Sequence, residues 1–248
     1  MTPVATASTV VTNPIFVAVD TPSLAAARKL AGQVQGAVGG LKLGLEFFAS
    51  EGPAGIKAMT SEGLPIFLDL KLHDIPNTVA AAMRGVARLG VALTTIHTNG
   101  GRGMMETAVK AAREADKPPK VFAVTMLTSL DLNDLKDLGV ERAVHAHVRA
   151  LAELAQDAGC DGVVCSPQEV HMLRDALSPE FLLLVPGLRS GGTAKNDDQK
   201  RMDTPANAIR NGADYLVIGR PITEAPDPRG AASALWDEVA AARRAKAH

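Results

Sequence analysis

Short apolar runs alternate with longer stretches in which apolar residues recur every three or four positions, from near one end of the chain to the other. The runs over 15–19, 41–45, 66–70, 93–97, 121–125, 162–165, 182–186 and 215–218 are rich in Val, Ile and Leu and predict eight strands. The stretches over 23–34, 47–61, 77–89, 104–115, 141–158, 168–176, 205–211 and 229–247 carry the helical period and predict helices. Strands that are apolar on both faces belong to parallel sheets covered by helices. Eight strict βα units therefore predict a closed (β/α)₈ (TIM) barrel rather than an open doubly wound sheet. After the first strand stands Asp20-Thr21-Pro22, where a dinucleotide fold carries Gly-x-Gly-x-x-Gly. No compositional break divides the chain, so the expected organisation is a loose N-terminal extension over 1–13 and a single barrel domain over 14–248.

Composition narrows the function classes. At 248 residues, 46% hydrophobic and 21% charged, the chain has the make-up of an ordinary soluble α/β protein with a large core. A net charge of −1 supplies no field for nucleic acid or acidic lipid, and one Trp with one Tyr gives no base-stacking platform. Cys160 and Cys165 are separated by four residues with no second pair, which fits neither a disulfide framework nor a zinc site. Small buried thiols in a reducing compartment are the simpler account. The first thirteen residues lack a basic start and a sustained apolar core, and no run reaches membrane-spanning length. A cytoplasmic protein with no nucleic-acid or membrane partner is expected.

The most informative segment is Asp69-Leu70-Lys71-Leu72-His73-Asp74, at the end of the third strand. Residues two apart on a strand share a face, so Asp69 and Lys71 are expected to point the same way. Burying such charges is costly unless they neutralise one another, and flanking carboxylates keep the ammonium protonated. A rigid, protonated lysine can deliver a proton to carbon, although a purely structural salt bridge accounts equally well for one Asp-x-Lys pair. The positions of the other polar residues favour function. Asp20 ends the first strand, Lys42 lies on the second, His97 ends the fourth and Thr125 the fifth. Arg189 follows the seventh strand, and Gly219-Arg220 the eighth. In a βα barrel these strand ends share one mouth, where catalysis takes place. Val217-Ile218-Gly219-Arg220-Pro221 runs a strand into a short helix with free N–H groups and a guanidinium, an anion site at the usual phosphate end. The polar loop over 190–199 has the length of a lid.

The segment 69–78, Asp69-Leu70-Lys71-Leu72-His73-Asp74-Ile75-Pro76-Asn77-Thr78, resembles the signature of the orotidine 5′-phosphate decarboxylase family. So do Lys42-Leu43-Gly44, Leu127-Thr128-Ser129, Pro186-Gly187-Leu188-Arg189 and Ile218-Gly219-Arg220-Pro221, in the family's order. The resemblance runs from about Ile15 to about Ile222 and implies a metal-free and cofactor-free homodimer with shared active sites, converting orotidine monophosphate to UMP. It implies Lys71 as the acid that protonates C6 and Asp69 as the carboxylate facing the substrate's own. Asp74, with Ile75 and Thr78, is implied to reach the neighbouring active site, while Lys42 and Asp20 hold the ribose hydroxyls and orient the charges. Thr128 falls at the pyrimidine-contacting position. Arg189, Gln199, Gly219 and Arg220 match the phosphate grip, with Gln199 also reaching toward the base.

Two other readings stay open on sequence alone. One is a magnesium-dependent enzyme acting on a linear sugar phosphate, which needs a carboxylate pair for the metal where Lys42 and Lys71 bring positive charge. The other is a catalytically silent nucleotide-binding protein, for which so costly a charge cluster has no use. Among weaker signals, His73 and His97 read as hydrogen-bonding or packing groups near the site. His145 and His147 read as exposed, and residues 100–103 as a turn.

Overall fold

The computed structural model describes residues 13–189 and 203–246. Eight parallel strands close in chain order: β1 (Ile15–Val19), β2 (Gly40–Leu43), β3 (Ile66–Leu72), β4 (Leu93–His97), β5 (Lys120–Val124), β6 (Gly162–Val164), β7 (Leu182–Val185) and β8 (Tyr215–Ile218), with β8 pairing back onto β1. Helices fill the connections, as a (β/α)₈ barrel requires. Three predicted strands coincide with those observed, and most of the others shift by a residue or two at their ends. Strand β2 ends two residues early, at Leu43, and β3 runs two residues on, to Leu72.

Alternation along each strand creates two cores. Ile15, Val17 and Val19 face outward into the layer between sheet and helices, while Phe16 and Ala18 face inward. The inner core is aromatic. The ring of Phe16 meets those of Phe67 and Tyr215 edge-on at 6.2 and 5.7 Å, and Phe122 meets Tyr215 at 5.9 Å. Glycines make the room. A Cβ at Gly40 would lie 2.3 Å from the Phe16 ring, and one at Gly162 would lie 2.6 Å from the Phe122 ring. The barrel is thus plugged below its middle. The same alternation carries Lys42 and Asp69 inward one step beyond Gly40 and Phe67, and Asp20 two steps beyond Phe16.

The opposite end is closed by structural carboxylates. Asp161, just before β6, accepts from the backbone N–H of Val121 at 2.8 Å and pairs with Arg113. Asp214, just before β8, accepts from Leu183 N–H at 2.8 Å and from Arg174 at 2.6 Å. The Arg174 guanidinium also donates to the carbonyls of Gly212, Ser178, Pro179 and Phe181.

Three helical features depart from expectation. The stretch expected as one helix over 47–61 is Leu45–Thr60, broken at Gly52, whose φ of 59° lies in the left-handed region. Pro53 follows, and proline disfavours helical geometry in the residue before it. A further helix, Leu132–Asp137, stands in the connection after β5, opened by reciprocal capping between Asp131 and Asp134. Six residues are too few for periodicity to reveal. Residues 100–103, read as a turn, close a short 3₁₀ segment (Thr98–Gly100) and begin the helix Gly101–Arg113. No helix among the described residues is long and apolar enough to cross a membrane.

Candidate active site

A cavity of about 920 Å³ opens at the C-terminal ends of the strands. Asp20, Lys42, Asp69, Lys71, Thr128, Arg189, Gly219 and Arg220 all line it, so residues spread over two hundred positions of sequence converge on one space. Lys29, Gln33 and the segment Thr223 to Pro226 also line the cavity, residues with no sequence signal.

Its charges come in ordered pairs. Lys42 Nζ donates to Asp20 Oδ1 at 3.0 Å, with the lysine largely buried and the aspartate open to the mouth. Lys71 Nζ donates to Asp69 Oδ2 at 2.8 Å. The second pair is not formed by plain strand alternation. Pairing of β3 with β4 matches Leu68 to Thr94 and then Leu72 to Ile96, so β3 spends four residues where β4 spends two. This is a bulge, and bulges re-aim side chains beside active sites. Within it Lys71 has φ of 50°, alone among the described non-glycine residues in the left-handed region. A strained backbone at a cavity wall is retained where the surrounding structure enforces it.

Thr95 bonds to this segment twice. This fully buried side chain accepts from the backbone N–H of Lys71 at 2.9 Å and donates to Asp69 Oδ1 at 2.9 Å. Nothing in the sequence singled out Thr95. Its only signal is inward register, two residues beyond Leu93 on the strand that follows the Asp-x-Lys segment.

His97 stacks on His73, ring centroids 5.4 Å apart and 26° from parallel. Burial, then the neighbouring charges of His73 and Lys71, hold the His97 imidazole below its ordinary range, so it stays neutral at neutral pH. Thr125 is buried and donates to Val164 O at 3.0 Å, a link between strands and not a cavity group.

Asp74, Ile75 and Thr78 sit apart. Asp74 Oδ1 accepts from Ile75 N–H at 2.7 Å, Ile75 is 67% exposed, and Thr78 lies in the first turn of the exposed helix start Pro76–Ala87. None of the three lines the cavity of its own chain. Gln199 lies outside the described residues, as does the whole expected lid over 190–199. The chain on either side of 190–202 is joined, since Arg189 N–H donates to Asp203 O at 3.0 Å. At the end of β8, Arg220 opens the four-residue helix Arg220–Thr223, with Pro221 at its second position. A Cβ at Gly219 would touch only Ala18 Cβ at an ordinary 3.4 Å, so glycine there keeps cavity space open.

A plugged barrel whose mouth carries two lysine–carboxylate pairs, with Arg189 and Arg220 lining the same cavity, defines a (β/α)₈-barrel enzyme. Comparison with known proteins gives its family. The model of the orotidine 5′-phosphate decarboxylase / HUMPS family matches residues 13–235. A protein of Paramagnetospirillum magneticum named orotidine 5′-phosphate decarboxylase is 54% identical, covering 92% of this chain and 98% of that protein. One of the same name from Moorella thermoacetica is 48% identical, covering 91% of each. The crystal structure of orotidine 5′-phosphate decarboxylase from Lactobacillus acidophilus superposes with a TM-score of 0.83 at 35% identity, covering 92% of this chain and 99% of that one. The chain belongs to the orotidine 5′-phosphate decarboxylase / HUMPS family.

Proposed function

We propose that this protein decarboxylates orotidine 5′-monophosphate to UMP and CO₂, without metal or cofactor, using Lys71 to protonate C6 of the pyrimidine. The observation that carries the reading is the Lys71–Asp69 pair, fixed at 2.8 Å inside the cavity by a strained backbone. Loss of CO₂ leaves charge in an orbital lying in the ring plane, where the ring delocalises it poorly. A preorganised cation at that point is the largest stabilising effect open to a protein. Lys71 supplies both the charge and the proton. Asp69, beside it, faces the substrate carboxylate, while Lys42 and Asp20 bind the ribose hydroxyls and Thr128 the pyrimidine. Arg189, Gly219 and Arg220, with Gln199, hold the phosphate. Phosphate binding remote from the broken bond supplies energy for organising the site.

Asp74, Ile75 and Thr78 complete the active site of a second copy in a homodimer. Their exposure at the mouth, outside their own cavity, supports this role. Two buried cysteines in no disulfide, Cys160 and Cys165, accord with a cytoplasmic setting. The donor set weighs against the magnesium-dependent alternative, because Asp20 and Asp69 are each already engaged by a lysine. The test is direct: purified protein is added to orotidine monophosphate and the loss of its ultraviolet absorbance is followed with and without a chelator. Equal loss in both is expected. No loss, or loss only with added magnesium, overturns the reading.

A further inference from the structure

The two groups on which the proposed reaction most depends, Lys71 and Asp69, are joined through a third that is fully buried and does not line the cavity. The Thr95 hydroxyl has one proton to give and lone pairs to offer. Lys71 N–H can only donate, so it fixes the direction of the chain. The N–H gives to Thr95 Oγ1, and Thr95 gives its own proton to Asp69 Oδ1, both at 2.9 Å. The bulge creates the need. Ladder pairing resumes only at Leu72, and the N–H of Lys71 must find another acceptor. With Oδ1 held by Thr95 and Oδ2 by Lys71 Nζ, both oxygens of Asp69 are anchored. The rotation of its carboxylate is fixed.

We propose that Thr95 is a positioning residue of the active site: its hydroxyl seats the β3 bulge and orients Asp69, so that ammonium and carboxylate face the same point in the cavity. This rests on the decarboxylase reading above. The molecule supplies its own control. Thr94, the preceding residue, is also fully buried, but strand alternation turns it toward the outer core, and its Oγ1 has no hydrogen-bond partner among the described residues.

Steady-state decarboxylation of orotidine monophosphate and calorimetric binding of UMP are measured for wild type, Thr95→Val, Thr95→Ser and Thr94→Val. A misplaced catalytic pair costs about 10- to 100-fold in kcat, and that loss is expected for Thr95→Val with UMP affinity held within about threefold. Thr95→Ser, which keeps the hydroxyl, should stay near wild type, and Thr94→Val should be unchanged. Should Thr95→Val not fold, Thr95→Ser against Thr95→Ala makes the same comparison, since they differ only in the hydroxyl. Wild-type kcat in the variant lacking the hydroxyl, a loss confined to UMP affinity, or Thr95→Ser as impaired as Thr95→Val each overturns the proposal. Wild type is assayed first. If it shows no turnover, the decarboxylase reading falls and takes this inference with it, an outcome distinct from the others.

Discussion

Lys71 carries three burdens at once: a left-handed backbone, a partner carboxylate at 2.8 Å and a place on the cavity wall. Truncating it to alanine removes both the cation and the proposed proton source. Loss of one preorganised charge typically costs on the order of 10²–10³ in rate, and Lys71→Ala should lose more than that while still binding UMP in a calorimeter. The variant retaining near-normal turnover would show that another group protonates the ring. His97 leads to a different prediction, about stability. Its folded imidazole is held below the ordinary range, chiefly by burial. As pH falls below roughly 6.5, the unfolded chain takes up that proton first, so stability contributed by the neutral ring is present above this pH and lost below it. Melting temperature should therefore fall between pH 7 and 5.5, and His97→Gln should flatten the fall. Equal slopes for both proteins would assign the acid sensitivity elsewhere.

At the scale of elements, the strand interiors show how large and small residues must alternate to close a narrow barrel. Gly40 sits opposite Phe16 with Pro65 O also within 2.5 Å of where a Cβ would stand. Neither an aromatic ring locked in a packed layer nor a backbone carbonyl can yield cheaply, and overpacking costs about 1–3 kcal/mol. Gly40→Ala should lower stability in urea by at least that amount, whereas Gly32→Ala, whose Cβ would meet nothing within 4 Å, should not. The helix Leu45–Thr60 was legible in its length but not in its break. Pro53 marks a disruption, yet only the fold shows that Gly52 absorbs it at positive φ. The bulge in β3 was not legible at all. An Asp-x-Lys spacing suggests plain alternation, and the extra residues are visible only once β4 is laid beside β3.

Across the whole molecule, charge is divided by barrel end. The closed end uses Asp161 and Asp214 with Arg113 and Arg174 to bind backbone groups, while the open end directs its lysines and arginines into a cavity. Arg174 donates to four carbonyls and Asp214, so Arg174→Ala leaves several acceptors without a partner. A cost of about 2–4 kcal/mol is expected with little change in kcat, read by denaturant unfolding beside activity at a temperature where the variant is folded. The proposed homodimer rests on the placement of Asp74, Ile75 and Thr78 outside their own cavity. If two chains exchange these residues, mixing inactive Asp74→Ala and Lys71→Ala proteins under conditions of subunit exchange should restore activity. Random pairing makes half the dimers mixed, each with one intact site of two, giving about a quarter of wild-type activity per chain. No recovery despite demonstrated exchange would show that each site is complete within one chain.

By itself the sequence determined the eight-fold βα alternation, the strand ends that carry polar residues, and the identity of the charged groups. Those properties are local: hydrophobic period, residue type and order along the chain survive in a string of letters. Tertiary structure decided what depends on register between neighbours. It set the bulge that turns Lys71 toward Asp69, the choice of Thr95 over the adjacent Thr94 as their link, and the separation of Asp74 from the cavity beside it. A side chain's partner is fixed by the strand next to its own, and that pairing exists only after the barrel closes.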